Sequence, residues 1–195
     1  MEWPSVADDN FLDSSNQKTP KTEIMISMRA LPFLLLLVAL VGCGPSRPPP
    51  DTVPAVDLTR YAGTWYEIER FDHWFERGMV GVTAQYTLLP DGRIAVLNRG
   101  YDGTLEGKSK TASATAWAVG PARLKVRFFW PFAGDYWILG LDDDYRWAVV
   151  GTPDRSYLWL LHREAHPAPA DIADMRVIAE KAGYDLTGLR AVLQK

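Results

Sequence analysis

The chain has 195 residues, 21 Lys plus Arg against 24 Asp plus Glu, a formal net charge of −3, and a single cysteine. That balance argues against nucleic acid or a strongly anionic membrane as partner. One thiol excludes a disulfide framework, and the length suits one domain stabilised by a hydrophobic core.

Residues 1–27 carry five carboxylates, two lysines and little apolar pattern, and read as an extension ahead of a true start at Met25 or Met28. Residues 28–42 read as a signal peptide. Arg29 is its basic flank, and Ala30 to Gly42 is a run of 13 mostly Leu, Val and Ala residues, short of the roughly 20 that a membrane-spanning helix needs. Leu40-Val41-Gly42-Cys43 resembles the lipobox of bacterial lipoproteins, whose cysteine receives a diacylglycerol and becomes the new N-terminus. Cys43 is then the lipid attachment site; the alternative is an ordinary small residue behind a secretory signal. An acyl chain contributes about 0.8 kcal/mol per buried CH2, so two or more make a durable anchor. Gly44 stands where lipoproteins held at the inner membrane usually carry Asp, which implies the outer membrane, on its periplasmic side. Residues 43–54 hold five prolines and form an extended tether, and residues 55–195 form the folded domain.

Beyond the tether, turn signals at Pro90-Asp91-Gly92, Asp102-Gly103, Gly120-Pro121, Gly134-Asp135, Asp142 to Asp144 and Gly151 to Asp154 separate stretches rich in Val, Ile, Tyr, Trp and Phe. This is the punctuation of antiparallel strands. The expected strands are 64–71, 80–88, 93–99, 106–119, 123–129, 136–141, 145–151 and 156–163. Eight strands suffice to close a barrel, which removes the sheet edges and leaves an interior for one small ligand. Ile172, Met175, Ile178 and Ala179 then recur at helical spacing, with Gly183 past the end, and predict one amphipathic helix over 170–182. Residues 189–193 read as a short strand added to an open rim.

The segment Leu58 to Ile68, with Gly63 and Trp65, resembles the Gly-x-Trp motif that opens the first strand of the lipocalins. Phe71 to Gly78 extends the likeness toward the bacterial outer-membrane lipoprotein lipocalins related to apolipoprotein D. Asp142 and Tyr145 stand where the second motif falls, with Leu141 replacing its threonine, and Leu158 to Arg163 resembles the third, which ends on an arginine. The resemblance spans residues 57–194. It implies an all-β fold, an eight-stranded antiparallel up-and-down barrel with a C-terminal α-helix packed outside, and a role in storing, scavenging or transferring lipids.

An indole with a guanidinium over its face closes the narrow end of a barrel, and Trp65 with Arg163 is the candidate pair, Gly63 permitting the close approach. Alternation puts Val82, Ala84 and Tyr86 on one face of their strand and Tyr157 and Trp159 on one face of theirs. Trp117, Phe129, Trp137 and Trp147 add wide, stiff surfaces. Together these nine are the expected lining for a fatty acid or lysophospholipid, the alternative for the aromatics being outward packing under the helix. Glu67 and Glu69 share the parity of Trp65; if they point inward they need a partner, Arg163 or a tyrosine hydroxyl. Phe128-Phe129-Trp130-Pro131-Phe132 at a hairpin tip reads as a membrane-touching rim, as a homodimer contact, or as a loop folded over the opening. No Gly-rich phosphate loop or Gly-x-Ser-x-Gly elbow occurs, His73, His162 and His166 lack metal-ligand spacing, and no cofactor is expected. Three functions fit this reading: a non-enzymatic lipid carrier anchored in the membrane, an enzyme using Glu67 or Glu69 on a bound lipid, or a structural lipoprotein with a packed barrel.

Overall fold

The computed structural model describes Arg47 to Lys195; the expected N-terminal extension, signal segment and lipid attachment site at Cys43 lie outside the described residues. The strands are β1 (Gly63–Phe71), β2 (Met79–Leu88), β3 (Ile94–Asp102), β4 (Ser109–Gly120), β5 (Arg123–Phe129), β6 (Phe132–Leu141), β7 (Trp147–Gly151), β8 (Leu158–His162) and β9 (Leu189–Ala191), with helices α1 (Leu58–Tyr61) and α2 (Pro169–Lys181). From β2 to β8 each strand pairs antiparallel with the next, and β1 pairs with both β8 and β2. Eight strands therefore close into an up-and-down barrel. The β1–β2, β3–β4, β5–β6 and β7–β8 loops fall at one end, the mouth, and the others at the base.

Boundaries differ from the sequence reading at several strands: β4 starts at Ser109, not 106, and Gly134-Asp135, read as a turn, pair with β5 inside β6, which starts at Phe132 directly after the turn at Trp130-Pro131. Tyr145 and Arg155 both adopt φ near 61°, a left-handed conformation that cannot continue a strand, so β7 starts later than 145; β8 starts later than 156 because the Ser156 and Tyr157 amides donate to Asp154 Oδ1 and Thr152 Oγ1 in the preceding turn. Asp142 stabilises the turn at Tyr145 by accepting from the Asp144 and Arg146 amides.

Strand β1 changes partners midway. Gly63 to Tyr66 pair with β2, Tyr66 to Arg70 with β8, and Glu69 to Phe71 with β9, with a bulge between Glu67 and Glu69. The extra residue, Ile68, resets the parity of the strand. Glu67 lies opposite inward Leu161, Glu69 opposite outward Leu160, and Arg70 opposite inward Trp159. The C-terminal segment satisfies the bulge: Val192 N donates to Ile68 O, and Gln194 Nε2 donates to Glu67 O and Val82 O. With Gly81 N donating to Leu193 O, that segment fills the gap left where β1 and β2 diverge.

Two apolar clusters follow from the alternation. Trp65, Ala84, Tyr86, Ile94, Val96, Ala116, Leu124, Tyr136, Ile138, Ala148, Val150 and Leu161 fill the barrel. Leu139, Trp147, Val149, Leu158 and Leu160 point outward and are covered by Met175 and Ala179 of α2. The helix sits close because Gly140 has no side chain; a Cβ there would lie 2.7 Å from Ile178 Cγ2.

The base is sealed by Arg163 and Trp65. The guanidinium carbon stands 3.7 Å from the centroid of the fully buried indole, and its nitrogens donate to the carbonyls of Arg60, Tyr61, Ala62, Thr64 and Tyr145. Trp65 Nε1 donates to Tyr61 O at 2.8 Å. Gly63 takes φ +100°, and a Cβ there would lie 3.2 Å from Arg163 Nη1. Burial lowers the Arg163 pKa from its ordinary value, but an arginine stays charged in proteins. Replacing it strands several carbonyls at once. Arg163→Met is expected to cost about 3 kcal/mol and Arg163→Lys more than half of that, because an ammonium lacks the planar fork; urea unfolding midpoints measure both.

Candidate functional site

The barrel is packed at its base and opens toward its mouth. Deep inward side chains such as Trp65, Ala116, Ile138, Ala148 and Val150 are entirely buried. Nearer the mouth, in register with inward residues, Ala112 and Gly134 are exposed and Asn98, Val126 and Trp159 are half-buried; Phe128, in the irregular stretch between Val126 and Phe129, retains 44% of its surface. Inward residues that still meet solvent define a cup. A shallow cleft of about 230 Å³ beside the mouth is lined by Ser113, Ala114, Thr115 and Arg127 to Trp130, which come from both faces of β4 and β5.

Three tyrosines form the floor. Tyr136 from β6 reaches across to Tyr61 and Tyr86, with hydroxyl oxygens 2.6 and 3.0 Å apart. Burial raises the pKa of all three, so each keeps its proton. Three hydroxyl donors make two bonds among themselves, which leaves one O–H to donate elsewhere.

One wall is charged. The inward Arg70 guanidinium pairs with Glu67 Oε2 at 3.2 Å and approaches Glu76 Oε2 at 3.8 Å, and it donates to the carbonyls of Glu76 and Met79. Trp159 Nε1 donates to Glu76 Oε2. The cluster thus ties the β1–β2 loop to the barrel wall. Burial raises the Glu67 pKa well above its ordinary value, with the neighbouring Glu76 adding and Arg70 opposing; burial raises Glu76 as well, against the pull of the Trp159 indole and Arg70. His73 is buried beside this wall against Tyr157, Trp159 and Phe75, and its Nε2 has no partner. Burial, aided by the Arg70 charge, pushes it down to about 4. It is neutral at pH 7.

The expected lining divides along the register. Val82, Ala84, Tyr86 and Trp159 face inward and Tyr157 stacks on Trp159 at the mouth. Trp137 and Trp147 do not line the interior: their neighbours Ile138 and Ala148 point in, which sends the indoles out under α2. Trp117 faces outward opposite Lys125 with the Arg127 guanidinium 5.4 Å from its ring, and Phe129 stands exposed against Phe132. Glu69 leaves the interior too and pairs with Arg176 of α2. The partner of Glu67 is Arg70, neither Arg163 nor a tyrosine. Sequence reasoning missed Tyr61, Tyr136, Arg70, Glu76, Asn98, Ala112 and Val126; the alternating Ala112-Ala114-Ala116 of β4 was the available signal for an inward face with room beside it.

An antiparallel barrel closed at its base by a Trp–Arg pair, open at the other end and carrying one helix outside, defines a small-molecule-enclosing barrel. A family model described as a lipocalin-like domain matches residues 56–194, and the chain belongs to the lipocalin family. It is 42% identical over 174 residues to the outer membrane lipoprotein Blc of Citrobacter freundii, covering 86% of this chain and 98% of that protein. Bovine apolipoprotein D is 33% identical over 150 residues, covering 69% and 76% respectively. Among solved structures, insecticyanin from the tobacco hornworm superposes with a TM-score of 0.60 at 16% identity, over 75% of this chain and 86% of that one, and supports the fold alone.

The charged wall makes stability depend on pH in two opposite senses. Glu67 and Glu76 hold protons more tightly folded than unfolded, so their contribution is full below about 4.5 and falls as pH rises through their elevated folded values. His73 contributes above its unfolded value of 6.5, and that contribution is lost as pH falls toward about 4. Urea titrations are expected to show Glu67→Gln gaining stability relative to the parent as pH rises above about 5, and His73→Phe losing less than the parent on acidification.

Proposed function

We propose that this protein is a lipid carrier anchored in the bacterial outer membrane through Cys43 and facing the periplasm, which encloses one fatty acid or lysophospholipid in the mouth half of its barrel and releases it unchanged. The observation that carries the reading is the gradient of packing along the barrel axis. Side chains around the tyrosine cluster are packed, whereas nearer the mouth Ala112, Val126, Gly134 and Trp159 offer an apolar wall still open to solvent. An acyl chain gains about 0.8 kcal/mol for each CH2 it buries there. The unspent tyrosine O–H at the bottom and the polar Glu67–Arg70–Glu76 wall supply the few directional contacts that fix an otherwise apolar ligand. Similarity to the outer membrane lipoproteins supports the anchored setting. Glu67 is already engaged by Arg70, which favours a structural over an acid-catalytic role for it.

The test uses the full chain with Cys43→Ser, stripped of lipid in organic solvent and titrated with palmitate and with lysophosphatidylethanolamine in a calorimeter. Ala112→Trp, at an exposed inward position, is expected to weaken binding about tenfold or more by filling the cup, and Val126→Arg to do so by placing a charge in it. Trp137→Phe, in the outer cluster, is expected to leave affinity within about twofold. Failure of the parent to bind either lipid favours the packed structural barrel, and recovery of a chemically altered lipid favours an enzyme.

A further inference from the structure

We propose that the mouth of the barrel docks directly on a phospholipid surface, through two aromatic loops set on opposite sides of the opening. The β1–β2 loop exposes Trp74 at 75% and Phe75 at 45%, and the β5–β6 hairpin exposes Phe128, Phe129, Trp130 and Phe132 at 44, 63, 82 and 69%. These two loops are four strands apart in the closed ring, so they face each other across the opening. No exposed aromatic of comparable size lies at the base among the described residues, where the large exposed apolar side chains are Leu88 and Val119. Trp and Phe are suited to a headgroup boundary, where a rigid ring is half apolar and half wet. A flat lipid surface meets both loops at once and covers the ligand entrance between them.

A second, independent observation fixes which end of the barrel faces the membrane. Arg47 Nη1 donates to Gly183 O, and Arg155 Nη2 donates to Pro48 O. Arg155 belongs to the β7–β8 loop, and Gly183 follows the end of α2 at the same height, so the chain enters the domain beside the mouth. Cys43 is four residues upstream, which limits its distance from Arg47 to about 14 Å even when fully extended. A diacylglycerol on Cys43 therefore holds the mouth end near the bilayer. The base, with Asp91 and the Asp142-Asp143-Asp144 turn, points away. This half of the argument rests on the anchored reading above; the aromatic loops do not. Docking in this pose lets a lipid pass between bilayer and cup without crossing open water.

The experiment uses the full chain carrying Cys43→Ser, with a single cysteine introduced in turn as Trp74→Cys, Trp130→Cys or Leu88→Cys and labelled with a nitroxide, on vesicles of phosphatidylethanolamine with phosphatidylglycerol. The expected result is that labels at 74 and 130 become shielded from a water-soluble nickel chelate and accessible to oxygen, while the label at 88 stays aqueous. Trp130→Ser with Phe132→Ser, in solvent-exposed positions, is expected to weaken vesicle partitioning about tenfold. Aqueous labels at all three positions, immersion of 88, or spin–spin broadening at 130 that appears without vesicles and marks a second copy on the rim would overturn the proposal. The mass of the parent chain isolated from membranes reports separately on Cys43. A lipidated parent with aqueous 74 and 130 removes the docking and keeps the anchor, whereas an unlipidated parent with both positions immersed removes the anchor and keeps the docking.

Discussion

The bulge at Ile68 is the constraint on which the rest of the molecule depends. Strand β1 must close the barrel against β2 at the base and against β8 toward the mouth, and a single strand of constant parity would send Glu67 and Glu69 into the interior together. One extra residue separates them. Glu67 stays inside and meets Arg70, which the same shift turns inward, while Glu69 moves outside to hold Arg176 of the helix. The bulged carbonyls would be costly if left unpaired, and the C-terminal segment supplies donors from Val192 and Gln194. The last residues of the chain thus stabilise the feature that organises its first strand.

The same displacement gives the interior its division of labour. Around the Tyr61–Tyr136–Tyr86 cluster the barrel is an ordinary core, closed at its base by an indole and a guanidinium. Above it one wall is apolar and partly open, and the other carries a buried ion cluster that also pins the β1–β2 loop through the Glu76 and Met79 carbonyls. Breaking a buried cluster of this kind by removing one member costs about 3 to 5 kcal/mol, more than the net gain from forming it. Its value here is positional: it fixes the loop that carries Trp74 and Phe75 at the rim.

Much of the architecture was legible because it rests on local chemistry. Turn residues separate most of the apolar stretches, Gly134-Asp135 inside β6 being the exception, Gly183 ends the helix, and the Gly-x-Trp and terminal arginine patterns place Trp65 and Arg163 at one end. Parity was harder. Glu67 and Glu69 look equivalent until the bulge is known, and no residue in Glu67-Ile68-Glu69 announces it. The indoles of Trp137 and Trp147 suggested a pocket lining by size alone, yet register with Ile138, Ala148 and Val150 sends them under the helix, where a sheet face must also be covered. Small residues such as Ala112 and Gly134 line the opening instead, since a cup needs space more than surface. Arg70 stands three residues from Glu67, a spacing that places the two on opposite faces of a regular strand and together only across a bulge.

A carrier built this way holds its ligand beside the mouth, next to Ala112 and Val126, and nowhere else in the barrel. Methyl-resolved NMR of the chain carrying Cys43→Ser, with labelled Ala, Val and Met, tests this placement directly on addition of lysophosphatidylethanolamine. Shifts are expected at Ala112, Ala114 and Val126, with Val149, Met175 and Ala179 unmoved. Shifts concentrated under the helix, or at Ala148 and Val150 without any at Ala112 and Val126, would contradict it.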